Sequence, residues 1–307
     1  MTADTSPRWR RFRRNTIGMA ALAVVLLYFG FGIGSAICGA WCRRHAVPAP
    51  WEVEDPGARY APPSGRFWLG ADYRGRSVLA RAVAGSSTAL QVGVISGVIA
   101  AVIGTVLGLW AGSRGGWRDD LVVWLYSTFA SMPTLLFILA FALLVSRNFL
   151  SPELLKFLRR MGGGDPGLLA VYVAIGLTGW VSLCRVVRAE TMKLQRLPFV
   201  AAARVAGAGE TAIMFRHLLP NIFHLVIIYF TLTFAAAVMS EVIVSYLGLG
   251  VQSAPSWGVM IADGQDRMWL GIWWEVAAAT AFMFLLVLAL NILGDYLRDA
   301  LDPRNRA

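Results

Sequence analysis

The chain has 307 residues, of which 57% are apolar and only 15% charged, and its mean hydropathy is +0.60. A soluble domain carries about a quarter charged residues, so this composition falls outside the soluble range and points to a membrane protein. The net charge of +10 lies in short clusters beside apolar runs and not on an aromatic-interleaved face, which argues against a nucleic-acid partner.

Windows of about nineteen residues locate six spans, at 16–40, 88–112, 121–146, 167–184, 222–246 and 272–294. The expected fold class is all-α, a polytopic membrane protein with six transmembrane helices. It divides into a tail (1–15), a first transmembrane helix (16–40), a loop (41–87), a core (88–294) with a cytoplasmic segment at 185–221, and a second tail (295–307).

The first span follows RWRRFRRN, which resembles the charged start of a signal peptide. A secretory apolar region runs only about 7–15 residues, and this one is longer without a clear small-x-small cleavage site. It is read as a retained anchor. Cys38 and Cys42 fit disulfide geometry poorly if both lie on a helix. Free thiols are expected, with a helix-end disulfide as the alternative, and together with Cys184 they are too few for a structural zinc site.

Arg8, Arg10, Arg11, Arg13 and Arg14 precede the first span, and Arg185, Arg188, Lys193, Arg196, Arg204 and Arg216 lie between the fourth and fifth. The positive-inside rule places both groups, and with six spans both termini, in the cytoplasm. The loops at 41–87 and 147–166 are themselves basic, so the N-terminal cluster decides the orientation.

In the stretch SVLARAVAGSS at 77–87, Val78, Leu79, Ala82 and Val83 fall on one helical face and Arg76 and Arg81 on another. This fits either a helix in the membrane interface or an N-terminal extension of the second span. That span carries Gly93, Gly97, Gly104, Gly108 and Gly112 on one stripe, a pattern for close helix packing and not for chemistry. The loop at 147–166 has a short helical pattern from Ser151 to Arg160, ended by a glycine run, and reads as a solvated linker or a partner contact.

No catalytic constellation is present. His45, His217 and His224 are scattered, with no carboxylate at metal-ligand spacing. Lys156 and Lys193, the only lysines, do not follow a glycine, so no GxxxxGK[ST] phosphate loop exists. Glu241, near the end of the fifth span and just before VSYLGLGVQSAPSWG, reads as a gate or packing carboxylate, or as one snorkelling to the interface.

The stretch FVAAARVAGAGETAIMFRHLLP at 199–220 interrupts two apolar runs. Pro198 preorganises a helix in which Phe199, Ala203 and Ala206 share a face. Gly207 and Gly209 end it in a left-handed conformation, and a second helix from Glu210 is closed by Pro220. Ala201, Ala202 and Ala203 present only methyl groups and backbone, so a partner groove can close over them, while Arg204 offers a forked donor to a carboxylate. The core of so small a helix is insufficient to hold it in place. The alternative is an interfacial helix lying on lipid headgroups.

At these residues the chain resembles the binding-protein-dependent ABC importer permeases. Their loop pattern of Glu-Ala-Ala, a glycine and a later Leu-Pro is matched by Ala202, Ala203, Gly207, Leu219 and Pro220, with Ala201 in the place of the glutamate. WLGADYRGRSVLARAVAG at 68–85, SEVIVSYLGLGVQSAPSWGVMI at 240–261 and NILGDYLRDALDPR at 291–304 resemble the C-type permease of the dipeptide/oligopeptide/nickel group.

The resemblance implies a type I ABC importer permease fold in a bacterial or archaeal inner membrane and no enzymatic activity or metal in this chain. It implies a coupling loop of Phe199, Ala201, Ala202, Ala203, Arg204, Gly207, Ala208, Arg216, Leu219 and Pro220 that docks on an ATPase. Glu241, Leu247, Gly248, Gly250 and Trp257 are gate or subunit-packing candidates. The implied partners are a second permease, two ATPase subunits that bind ATP and Mg, a solute-binding protein and membrane lipid. An assembly or export component without a binding protein is the first alternative, and a secondary transporter with buried pathway charges or inverted repeats the second.

Overall fold

The computed structural model describes residues 15–146, 166–250 and 254–301, with Glu153 and Lys156 as isolated positions between the first two stretches. The N-terminal arginine cluster, the expected Ser151–Arg160 helix and the end of the LRDALDPR string lie outside the described residues.

Helix α1 (Thr16–Arg44) starts at Asn15, whose side-chain oxygen accepts from the Ile17 and Gly18 N–H groups at 3.1 and 3.3 Å. That cap satisfies two of the orphan donors of the first turn. A largely irregular segment leads to α2 (Val78–Arg114), capped by Ser77. Residues 78–87 are continuous with the second span, so the segment is its N-terminal extension and not a separate interfacial helix. At 1.5 Å per residue the 37 residues of α2 reach about 55 Å.

Gly115 and Gly116, both near φ +64°, turn the chain into α3 (Trp117–Ser131). The expected single span at 121–146 is instead two helices, α3 and α4 (Thr134–Ser146), set 86° apart. Pro133 explains the break: it has no N–H to donate, and its ring pushes Met132 out of helical conformation, to φ −87° and ψ 133°. Counting the bent pair as one span gives six apolar crossings among the described residues.

Helix α5 (Pro166–Leu194) extends ten residues beyond the fourth predicted span. After it come α6 (Pro198–Val205) and α7 (Glu210–Tyr246), whose pitch widens to a π-helix over Ile213–Leu218. Helices α8 (Trp257–Gln265) and α9 (Trp274–Leu301) complete the described chain.

Helix α2 is central. A Cβ built at Gly93 would lie 2.3 Å from the Phe234 ring, and one at Gly97 2.8 Å from Phe230, both on α7. Further along, Cβ atoms at Gly104, Gly108 and Gly112 would lie 2.7 to 2.8 Å from the carbonyl oxygens of Trp180, Cys184 and Arg188 on α5. The glycine stripe therefore faces α7 in its first half and α5 in its second, where two backbones touch. The main core gathers Tyr28, Val92, Phe234, Trp257 and Leu286 from α1, α2, α7, α8 and α9. A second core, at the Arg114 end of α2, gathers Leu109, Leu183, Val187, Val200, Ile213 and Leu218. Cys38, Cys42 and Cys184 are free thiols.

Candidate functional site

The 198–220 segment is built on that second core. Pro198 occupies the first turn of α6, and Val200 is fully buried among Leu109, Val187, Ile213 and Met214. The expectation that so small a helix lacks a sufficient hold is corrected by this one side chain, which the sequence reading passed over. Gly207 ends α6 with φ +81°, and the Ala208 N–H reaches back to the Ala203 carbonyl at 3.0 Å. No atom lies within 4 Å of a Cβ built there, so its requirement is conformational and not steric. Gly209 has φ −65° and is not left-handed, contrary to expectation. Pro220 does not close a second helix either. It lies in the first turn of the regular part of α7, where a missing N–H costs least, and the helix runs through it.

The face turned outward combines small and apolar side chains with two arginines. Ala201, Ala202, Arg204 and Arg216 are exposed, Phe199 and Phe215 are 38% and 53% exposed, and Val205 is 91% exposed. Val205 was missed in the sequence because it looks like one more core valine; only its helical register against Val200 turns it outward. The Arg204 guanidinium donates to the Gln195 side-chain oxygen, so with Ala201 in the glutamate position a neutral acceptor braces the arginine. Arg114, the last residue of α2, pairs with Glu210 at the start of α7.

The opposite end of α2 holds a cluster that sequence reasoning did not find. Arg81 was placed on a helical face apart from Val78, Leu79, Ala82 and Val83, yet its side chain is 5% exposed. Its Nη1 donates to Asp72 Oδ2 at 2.7 Å and to Glu275 Oε1 at 2.6 Å, and its Nη2 reaches Asp263 Oδ2 at 3.2 Å. Asp72 is fully buried, and its other oxygen accepts from the Arg74 and Arg76 N–H groups at 2.8 and 2.9 Å. Beside it the Trp257 indole donates to the Ala82 carbonyl at 2.8 Å, and Trp274 to that of Ala71 at 3.0 Å. The cluster thus ties the 68–85 stretch to α8 and α9. A buried arginine becomes tolerable when carboxylates surround it, and removing one partner strands the rest.

Glu241 is 1% exposed and accepts from Ser245 Oγ at 2.6 Å and Ser256 Oγ at 2.8 Å. The snorkelling alternative is therefore overturned: the carboxylate is tied to its own helix and to the cap of α8. Gly250 is buried against Ser245, and Trp257, the residue after Ser256, is buried against Gly85 and Ala82, whereas Leu247 and Gly248 are exposed. Gly248, at φ +76°, ends α7. The structure thus gathers Glu241 and Gly250 about Ser245, buries Trp257 against α2, and leaves Leu247 and Gly248 exposed.

Among the described residues, a helical bundle with up to six helices apolar enough to cross a membrane, and an exposed helix-turn segment at one end, defines a polytopic membrane protein. Residues 104–307 match the family described as binding-protein-dependent transport system inner membrane component, and the chain belongs to that family. It is 33% identical to the dipeptide transport system permease protein DppC of Bacillus subtilis, over 98% of this chain and 86% of the relative. It is 31% identical to the oligopeptide transport system permease protein OppC of Escherichia coli, over 97% of this chain and 90% of that one. To the glutathione transport system permease protein GsiD of Pectobacterium atrosepticum it is also 31% identical, over 96% and 90%. The chain is an ABC importer permease of the dipeptide/oligopeptide family and not itself an ATPase.

Proposed function

We propose that this permease imports peptides or a related small solute. It pairs with a second, different permease above two ATPase subunits that bind ATP and Mg, and it receives solute from an extracytoplasmic binding protein. The termini and α6 face the cytoplasm, and the Arg81 end of α2 faces outward. The observation that carries this reading is the exposed apolar face of α6, with Val205 91% exposed, on a helix held from behind by Val200. Exposed apolar surface on a rigid mount is what a docking partner covers.

ATP-driven closure of the ATPases moves α6, and the movement reaches the spans through α7 and the Arg114–Glu210 pair. The membrane subunits alternate between two packings, as alternating access requires. The named relatives, permeases of dipeptide, oligopeptide and glutathione systems, support a solute built of amide-linked residues.

The test is gentle purification from the native membrane, with identification of the co-purifying chains and an ATPase assay. Recovery of ATPases, a second permease and a binding protein is the expected result. A chain that arrives alone and transports without ATP refutes the proposal.

A further inference from the structure

At the Val78 end of α2 a cavity of about 160 Å³ lies between α1 and α2. Gly39 and Arg43 line it from α1, Ser87 and Gln91 from α2, and Trp51 and Glu52 from the loop between the helices. Gly39 leaves the space open: a Cβ built there would lie 3.2 Å from the Trp51 ring and 3.3 Å from Arg43 Nη1. The arginine thus lies back along its own helix, over Gly39, and borders the cavity. Glu52 borders it as well, yet the two charges do not meet, since among the described residues neither forms an ion pair. Opposite charges that share a cavity without pairing leave room between them for a ligand with a group of each sign.

The polar groups divide by role. Glu52 Oε2 accepts from the Ala49 N–H at 3.1 Å, which fixes the carboxylate and leaves Oε1 to accept. Gln91 Nε2 donates to Ser87 Oγ at 3.3 Å, so the Gln91 carbonyl oxygen can accept and the Ser87 hydroxyl can donate. Arg43 and Ser87 therefore offer donors to an anionic group, and Glu52 and Gln91 offer acceptors to an ammonium. The depth suits a lipid headgroup. The 29 residues of α1 reach about 43 Å, matching the roughly 40–45 Å of a bilayer with its headgroup layers. With the helix centred, its last turn around Arg43 falls at headgroup level, where the exposed Trp41, stacked on His45 at 4.4 Å, stands as an interfacial aromatic does. Deeper in the membrane, three and seven residues beyond Gln91 on the same face of α2, stand the exposed Val94 and Val98, followed by Val102 and Val106. That ridge runs about 18 Å, comparable to one leaflet's share of the roughly 30 Å hydrocarbon core.

We propose that this cavity binds the headgroup of a zwitterionic phospholipid that ends in a primary ammonium. The phosphate sits on Arg43 and Ser87, the ammonium between Glu52 and Gln91, and an acyl chain lies along the Val94–Val106 ridge. A primary ammonium brings three N–H donors to these acceptors, whereas a trimethylammonium brings none. Free phosphoethanolamine carries the same headgroup chemistry without the chain, and the valine ridge favours the lipid over it. The inference needs only that the chain spans a membrane, and it stands apart from the importer reading.

The experiment is native mass spectrometry of the delipidated transporter, titrated with phosphatidylethanolamine, phosphatidylcholine and phosphatidylglycerol of identical chains. One phosphatidylethanolamine per copy of this chain is expected, held at least about 10-fold more tightly than either of the others, the scale of one hydrogen bond to a charged group. Arg43→Gln is expected to weaken phosphatidylethanolamine and phosphatidylcholine together, by about 10-fold each. Glu52→Gln is expected to weaken phosphatidylethanolamine alone, down to the level of phosphatidylcholine. Both side chains are exposed, so both variants should melt with the parent. Gly39→Val keeps both charges, fills the space between Trp51 and Arg43, and is expected to abolish the preference. Equal affinity for the three lipids, or a preference that survives all three substitutions, overturns the site. Displacement of the bound lipid by free phosphoethanolamine at equal concentration overturns the lipid as its occupant.

Discussion

Val200 and Val205 lie five residues apart on α6 and face opposite ways, one fully buried and the other 91% exposed. Replacing Val205 with alanine removes two methyl groups that touch little in this chain. If an ATPase cleft buries them, about 0.8 kcal/mol per carbon gives about 1.6 kcal/mol of lost docking energy. That corresponds to a dissociation constant raised roughly 15-fold. Alanine is the better helix former, so fraying of α6 does not mimic the effect. Val200→Ala removes the same atoms from a filled core and is expected to cost the chain itself about 2 kcal/mol through lost burial and a cavity. The assay is titration of the permease in nanodiscs with purified ATPase subunits, run beside thermal melts of the permease alone. Val205→Ala should weaken binding at an unchanged melting temperature, and Val200→Ala should lower the melting temperature. Equal affinity for Val205→Ala and the parent, or equal melting losses for the two variants, refutes the assignment of the outward face to docking.

Arg81→Ala leaves the buried Glu275 without its cation, while Asp72 keeps Arg76 at 2.7 Å, and should destabilise the chain by about 3–5 kcal/mol, seen as a large drop in detergent melting temperature. An unchanged melt would show that the cluster is hydrated. Gly207→Leu forces a side chain into φ +81° at a cost of about 1–2 kcal/mol, and Gly207→Asn, which tolerates that region, should recover most of the lost uptake. Equal uptake by the two variants refutes the conformational argument. A cysteine at Ala202 should crosslink to an ATPase subunit in a nucleotide-dependent way, whereas labelling from outside the membrane contradicts the orientation. Gly104→Leu drives a side chain into the Trp180 carbonyl, and protease resistance of the inserted chain should collapse; retained resistance would show that α2 and α5 can separate.

Long-range polar structure was the part least legible in the sequence. The spans follow from hydropathy, and the 198–220 segment stood out because its alanines and glycines interrupt two apolar runs. Arg81 did not, because its partner Glu275 lies 194 positions away and no periodicity links them. It was placed with Arg76 on a helical face apart from Val78 and Ala82, yet Arg76 precedes the helix and Arg81 is buried as they are. Pro133 and Pro220 show a second reason. One breaks a helix and the other sits within its opening turns, and the difference depends on whether neighbouring turns already lack a donor, which composition does not reveal. Glu241 was visible as an ionisable residue in a span with Ser245 four residues on, but its second partner, Ser256, depends on where α8 begins.

The unbroken length of α2 has a mechanical consequence. It is pinned at one end by the Arg81 carboxylates and linked at the other, through Arg114, to the segment proposed to meet the ATPases. A rod of about 55 Å pivoting by about 5° at one end sweeps about 5 Å at the other, comparable to one helical turn. Leverage on that scale turns a slight reorientation at one membrane face into a displacement as large as a side chain at the other, without stretching a hydrogen bond between them.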